Sequence, residues 1–170
     1  GERCVVGFGS SGGPPMMNVL YNNHYQIVQS PGYVMIMAEM VHDARVIRLD
    51  GKHPPENITP WLGDSIGHWE GNTLVVETTN FNPQHTFRGG LRHFFAITSG
   101  AIVTERFTRI SKDQILYRFY VDDPDIYSQV WAGEMPLRSV EDKIYEYACH
   151  EGNYSMANIL AGAREEEKRR

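Results

Sequence analysis

The chain has 170 residues, of which 41% are hydrophobic and 22% charged, enough apolar material for one folded domain and too much for a disordered segment. Its net charge of −5, with Lys and Arg scattered apart from a final Lys168-Arg169-Arg170, supplies no field for nucleic acid or anionic lipid. No apolar run approaches the ~18 residues of a membrane span, and no charged leader precedes an apolar stretch, so an export signal is expected to be absent or already removed.

In chain order, residues 7–15 (GFGSSGGPP) predict a flexible loop, because glycine and proline oppose regular structure there; it belongs to an N-terminal loop segment reaching residue 22. Three strand-like runs follow at 25–29 (YQIVQ), 33–39 (YVMIMAE) and 44–49 (ARVIRL). Ser30-Pro31-Gly32 reads as a tight turn, with proline setting φ and glycine accepting φ > 0. Asp50-Gly51 is another turn, and Pro54-Pro55 opens a longer loop to Trp61. Gly71-Asn72 leads into a β-branched strand at 73–79 (TLVVETT). Residues 80–100 hold a polar loop (NFNPQHTFRGG) and an apolar piece (LRHFFAI) whose type the pattern leaves open.

Clean alternation at 102–110 and 114–121 around Ser111-Lys112-Asp113 predicts a hairpin, and 127–137 and 143–149 supply two more strands. From Ser155 on, Met156, Ile159, Leu160 and Ala163 fall at helical spacing, with Ser155 or Asn153 as cap. The expected fold is one domain over 1–170, mainly β: an antiparallel β-barrel, lipocalin-like or related, with a short C-terminal helix (155–170) packed on it.

There are two cysteines, Cys4 and Cys149. They are either unrelated buried thiols or a disulfide closing a very long loop, worth about 4–5 kcal/mol in the chain-entropy model. No Cys-x-x-Cys is present, which removes zinc ribbons and thioredoxin-like sites.

Read together, residues 22–52 (NNHYQIVQSPGYVMIMAEMVHDARVIRLDGK), 61–81 (WLGDSIGHWEGNTLVVETTNF), ERFTRI, VDDP and 144–154 (IYEYACHEGNY) resemble a large family of secreted bacterial proteins that carries no assigned activity. The resemblance spans nearly the whole chain. It implies an extracytoplasmic location, a C-terminal domain of a longer protein and a bonded Cys4–Cys149 pair, since such compartments permit disulfides. It brings neither a substrate nor a catalytic residue.

The candidate chemistry rests on histidines and glutamates. His42, His68 and His150 each flank an expected strand and are followed within two positions by a carboxylate, Asp43, Glu70 or Glu151. Such neighbours fix a tautomer or raise imidazole basicity, as general acid–base work needs; turn caps and surface filling are the bland alternative. Glu39, Glu77, Glu105 and Glu146 each interrupt a largely apolar alternating row, where a buried carboxylate needs a partner or a raised pKa. Arg45, Arg106 and Arg118 are the candidate partners; rows facing water, or Glu–Arg ties between strands, are the alternative.

Trp61, Trp69 and Trp131, with Tyr117, Tyr120, Tyr145, Tyr147 and Tyr154, would line a pocket for a planar or sugar-like ligand, or simply form an aromatic core. Residues 7–12 lack the flanking strand and helix of a dinucleotide loop, and no Gly-x-Ser-x-Gly is present.

The leading expectation is a barrel that binds a small organic ligand, with non-oxidative acid–base catalysis of lyase, isomerase or hydrolase type and no cofactor. His42, His68, His150, Glu105 and Glu146 are the catalytic candidates; Arg45, Trp69, Trp131 and Tyr147 are the ligand-binding ones. The alternatives are binding without turnover, a metal held by the three histidines, and a structural domain whose β edges pair with further copies in a homo-oligomer.

Overall fold

In a computed structural model, described over residues 4–7, 9–89, 94–152 and 154–169, the alternating runs become strands of one curled, predominantly antiparallel sheet. In chain order these are β1 (Tyr25–Ser30), β2 (Tyr33–Ala38), β3 (Ala44–Leu49), β4 (Asp64–Glu70), β5 (Thr73–Thr79), β6 (Phe87–Gly89), β7 (Phe94–Ala96), β8 (Ile102–Ser111), β9 (Gln114–Asp122) and β10 (Trp131–Arg138). Eight of them form the order β1-β2-β3-β4-β5-β8-β9-β10, while β6 and β7 make a separate hairpin. One helix, α1 (Ser155–Glu167), ends the chain. The sheet is a half-barrel with β1 and β10 at its edges, where closure into a barrel was expected.

Period-two alternation decides what lies inside. The register runs Gln29, Val34, Ile47, Ser65, Thr78, Val103, Val121 and Trp131 abreast across all eight strands. On the concave face around that line, Val34, Ile36, Ile47, Val76, Val103, Phe107, Tyr117, Phe119 and Val121 are buried in one cluster. Each large apolar side chain so withdrawn from water contributes about 1.5–3 kcal/mol. Gly32, at φ +79°, makes the β1–β2 turn that sets the register of the first hairpin.

Four sequence expectations are corrected. The first concerns residues 7–15. Ser10 to Met16 are all buried and fill the hollow of the half-barrel. Their backbone is tied in by Tyr25 Oη donating to the Ser11 carbonyl (2.8 Å), Tyr117 Oη accepting from Met16 N–H (2.8 Å) and Arg88 Nη1 donating to the Gly13 carbonyl (2.9 Å). Glycine is needed at position 13, where φ is +68° and a Cβ would fall 2.7 Å from the Met16 side chain. Side-chain-poor backbone lets the segment act as a plug.

The second correction is to the antiparallel expectation: β4, in a stretch the sequence pattern assigns to no element, pairs parallel to β3 and antiparallel to β5. The third is 143–149, which forms no strand. That stretch is pinned instead by Tyr145 N–H donating to Glu39 Oε1 (3.2 Å) and by the disulfide joining Cys149 to Cys4, whose Cα atoms lie 6.2 Å apart. The covalent bond is thus as the family resemblance implies.

The fourth correction is the helix. Met156, Ile159 and Leu160 are 67%, 65% and 47% exposed, and α1 buries no residue. Ending the chain after Tyr154 should therefore lower unfolding stability by less than about 0.5 kcal/mol, as for other surface changes. Denaturant unfolding of the truncated chain measures this, and a loss above about 1 kcal/mol would show that α1 is docked. Among the described residues no helix is long and apolar enough to cross a membrane.

Candidate functional site

Three polar constellations stand out. At the centre of the concave face Arg45 and Glu105, 3% and 0% exposed, form a bidentate ion pair (Nη1–Oε2 2.6 Å, Nη2–Oε1 3.0 Å). Tyr117 Oη donates to Glu105 Oε1 at 2.6 Å and accepts the Met16 N–H, which closes the network onto the plug. Burial opposes the charge on Arg45, but the Glu105 carboxylate outweighs it and raises the guanidinium pKa. Burial, then Glu105, pushes the Tyr117 phenol well above its ordinary value; Tyr25 rises to about 12, again chiefly by burial. The carboxylate is 0% exposed and accepts three hydrogen bonds from core side chains, so no solute reaches it. Glu105 belongs to the core.

A second constellation lies on the opposite face, under the loop of residues 51–63. Arg48 grips Asp64 with two bonds of 2.8 Å, and His53 Nδ1 lies 2.7 Å from Asp64 Oδ2 while its Nε2 lies 3.3 Å from Glu77 Oε1. Both contacts are hydrogen bonds only where the ring nitrogen carries a proton, since carboxylates accept. Burial would raise the Asp64 pKa, but the Arg48 and His53 hydrogen bonds outweigh it and hold the carboxyl below its ordinary range. Asn80 Nδ2 ties the same loop through the carbonyls of Pro54, Pro55 and Ile58, each at 3.2 Å.

The third is a cleft of about 380 Å³ at the start of the parallel pair. Its origin is topological. β4 joins β3 only from Ile47 opposite Ser65, so Ala44 to Val46 have no strand beside them on that flank. Val5 and Val6 from the N-terminal segment and Trp61 and Leu62 from the loop wall the gap, and Asp43 and Asp64 supply its carboxylates. His85 Nδ1 lies 3.2 Å from the Trp61 carbonyl, so the indole is held on an anchored backbone.

The two carboxylates differ. Asp64 is paired with Arg48 and His53. Asp43 accepts the Gly7 N–H; burial raises its pKa, and Gly7 and the neighbouring His42 only partly offset that.

The remaining expected residues are dispersed. His42 is exposed beside Asp43; His68 is exposed on β4, with Nε2 3.2 Å from Glu70 Oε1; His150 is exposed next to the disulfide. Glu146 is exposed on the irregular segment, and Glu77 is half exposed. Glu39 is buried after β2; burial would raise its pKa, but hydrogen bonds from Tyr145 N–H and His24 lower it.

Trp69 is exposed at the end of β4, and Tyr147 stacks on Tyr21 at 6.4 Å. Trp131 packs edge-on against Phe95, Phe119 and Tyr127 at 5.5–5.8 Å in an aromatic core cluster. Of the expected catalytic and ligand-binding residues only Arg45 lines the cleft, where Trp61, from the expected aromatic set, joins it. Among the described residues no three His, Cys, Asp or Glu side chains group as metal ligands.

Sequence reasoning noted Asp43 only as a neighbour of His42 and Trp61 only as one aromatic among many. It passed over His53, Asp64 and Arg88, for which no local signal exists. No family model, curated protein or solved structure matches the chain.

Proposed function

We propose that this protein is an extracytoplasmic domain that binds a small organic molecule in the cleft between β3, the N-terminal segment and the Trp61 loop. One observation carries the reading: Trp61 and Asp43, a carboxylate with no ion-pair partner among the described residues, share an open cleft walled also by Val5, Val6, Val46 and Leu62. Small-molecule sites have this composition, an apolar lining with few convergent polar groups. The ligand class that fits is a ring compound bearing a hydroxyl or amine, stacked on Trp61 and donating to Asp43. The Cys4–Cys149 disulfide supports an oxidising compartment. Any acid–base turnover would run through Asp43, whose raised pKa suits a proton donor, rather than through Glu105.

Tryptophan fluorescence and calorimetry with a panel of monosaccharides, amino sugars and aromatic amines test this. Saturable binding is expected for at least one member, weakened more than about tenfold by Asp43→Asn or Trp61→Ala, the loss of a charged hydrogen bond or a stacking face. For an amine ligand, affinity should rise with pH as Asp43 ionises through its raised pKa. Variants that bind every panel member as the parent does would sink the proposal.

A further inference from the structure

Among the described residues, the buried polar atoms left without a hydrogen-bond partner are Ser11 Oγ, Arg45 Nε, Arg88 Nε, Arg88 Nη2 and Trp131 Nε1. All four nitrogens are donors with no acceptor capacity. What the interior lacks is therefore an acceptor.

Arg88 concentrates the deficit. It is 1% exposed, on β6, with Nη1 on the Gly13 carbonyl and its guanidinium carbon 5.7 Å above the Phe81 ring. Its free Nε and Nη2 form the side-on edge of the guanidinium, the two parallel N–H groups that match the two oxygens of a carboxylate. Burial, with repulsion from Arg45, lowers its pKa to about 10, so it stays charged at neutral pH. Glu105 is engaged by Arg45 and Tyr117, and among the described residues no carboxylate pairs with Arg88. Glu39, Asp64 and Asp123, the other buried acids, hold partners elsewhere. Arg45, Arg88 and Glu105 thus leave one positive charge buried among the described residues, and an uncompensated buried charge is costly.

We infer that Arg88 is the receptor for a small monocarboxylate, of formate or acetate size, bound between the plug and the half-barrel through its Nε–Nη2 edge. Charge selects this class over phosphate or sulfate: one negative charge neutralises the interior, and two would invert it. The site is distinct from the cleft at Trp61 and does not rest on it.

The test uses the whole chain. Thermal unfolding is followed with sodium formate or acetate against sodium chloride and sulfate at equal ionic strength, together with titration of 13C-formate by NMR. Expected are a saturable rise of Tm with formate or acetate alone and broadening of the 13C-formate signal. Arg88→Gln should weaken binding at least about tenfold, the loss expected for a charge-assisted pair of hydrogen bonds. Should that variant not fold, Arg88→Lys keeps the charge, loses the two-pronged edge and should show the same weakening. Formate acting no differently from chloride on the parent chain would mean that water or nothing meets Arg88 and would overturn the inference. So would a folded Arg88 variant with parental formate affinity.

Discussion

Replacing Glu105 with Gln should cost about 3–5 kcal/mol of unfolding free energy, the range for removing one partner of a buried ion pair. The substitution keeps shape and volume, so little of the loss is a cavity effect. It leaves Arg45 charged at 3% exposure with Arg88 as a like-charged neighbour. Tyr117 loses a charged acceptor while Met16 N–H still holds its oxygen. Guanidinium unfolding monitored by fluorescence measures the loss. The paired change Arg45→Met with Glu105→Leu should recover most of it, since apolar replacements of buried ion pairs are often neutral or stabilising. A loss below about 1 kcal/mol for Glu105→Gln would show that water reaches the pair and that the plug does not seal the hollow.

Opening the Cys4–Cys149 bond should cost about 5 kcal/mol in the chain-entropy model, because the two cysteines are 145 positions apart and the closed loop is nearly the whole chain. The comparison is unfolding of the oxidised protein against the Cys4→Ser, Cys149→Ser double variant. Loosening should begin in the plug, with backbone exchange rising first at Met16 and Met17, whose N–H groups bond to Tyr117 and Ser10. An unchanged midpoint would mean that the plug is held by its hydrogen bonds alone.

Local chemistry made most of the sheet readable. YQIVQ, ARVIRL and TLVVETT became β1, β3 and β5 within a residue because β-branched alternation and their turns agree. β4 escaped because DSIGHWE has Gly67 at its centre and polar ends, and its pairing comes from β5 on one side and a parallel neighbour on the other. KIYEYAC alternates equally well and is not a strand; its backbone is held instead by Tyr145 N–H on Glu39 and by the disulfide at Cys149. Glycine in GFGSSGGPP signals backbone freedom in isolation, whereas here its missing side chain permits burial.

The site was less readable for the same reason. Glu105 reads from sequence as a carboxylate in an apolar row with Arg45 as a candidate partner, but no local pattern says that Tyr117 would join Arg45 on it. Arg88, in a polar glycine-containing stretch, reads as solvated until the plug covers it.

The burial of residues 10–16 has a kinetic consequence. The β8–β9 hairpin can form from neighbours, yet its apolar concave face and the carboxylate of Glu105 stay wet until a segment some hundred positions away arrives to cover them. Closing so long a span is slow. During that delay the nascent sheet presents two unpaired strand edges and an uncovered apolar hollow, the surfaces through which folding chains aggregate. The hollow closes only when residues 10–16 dock, so the aggregation-exposed interval lasts as long as that one long-range event takes.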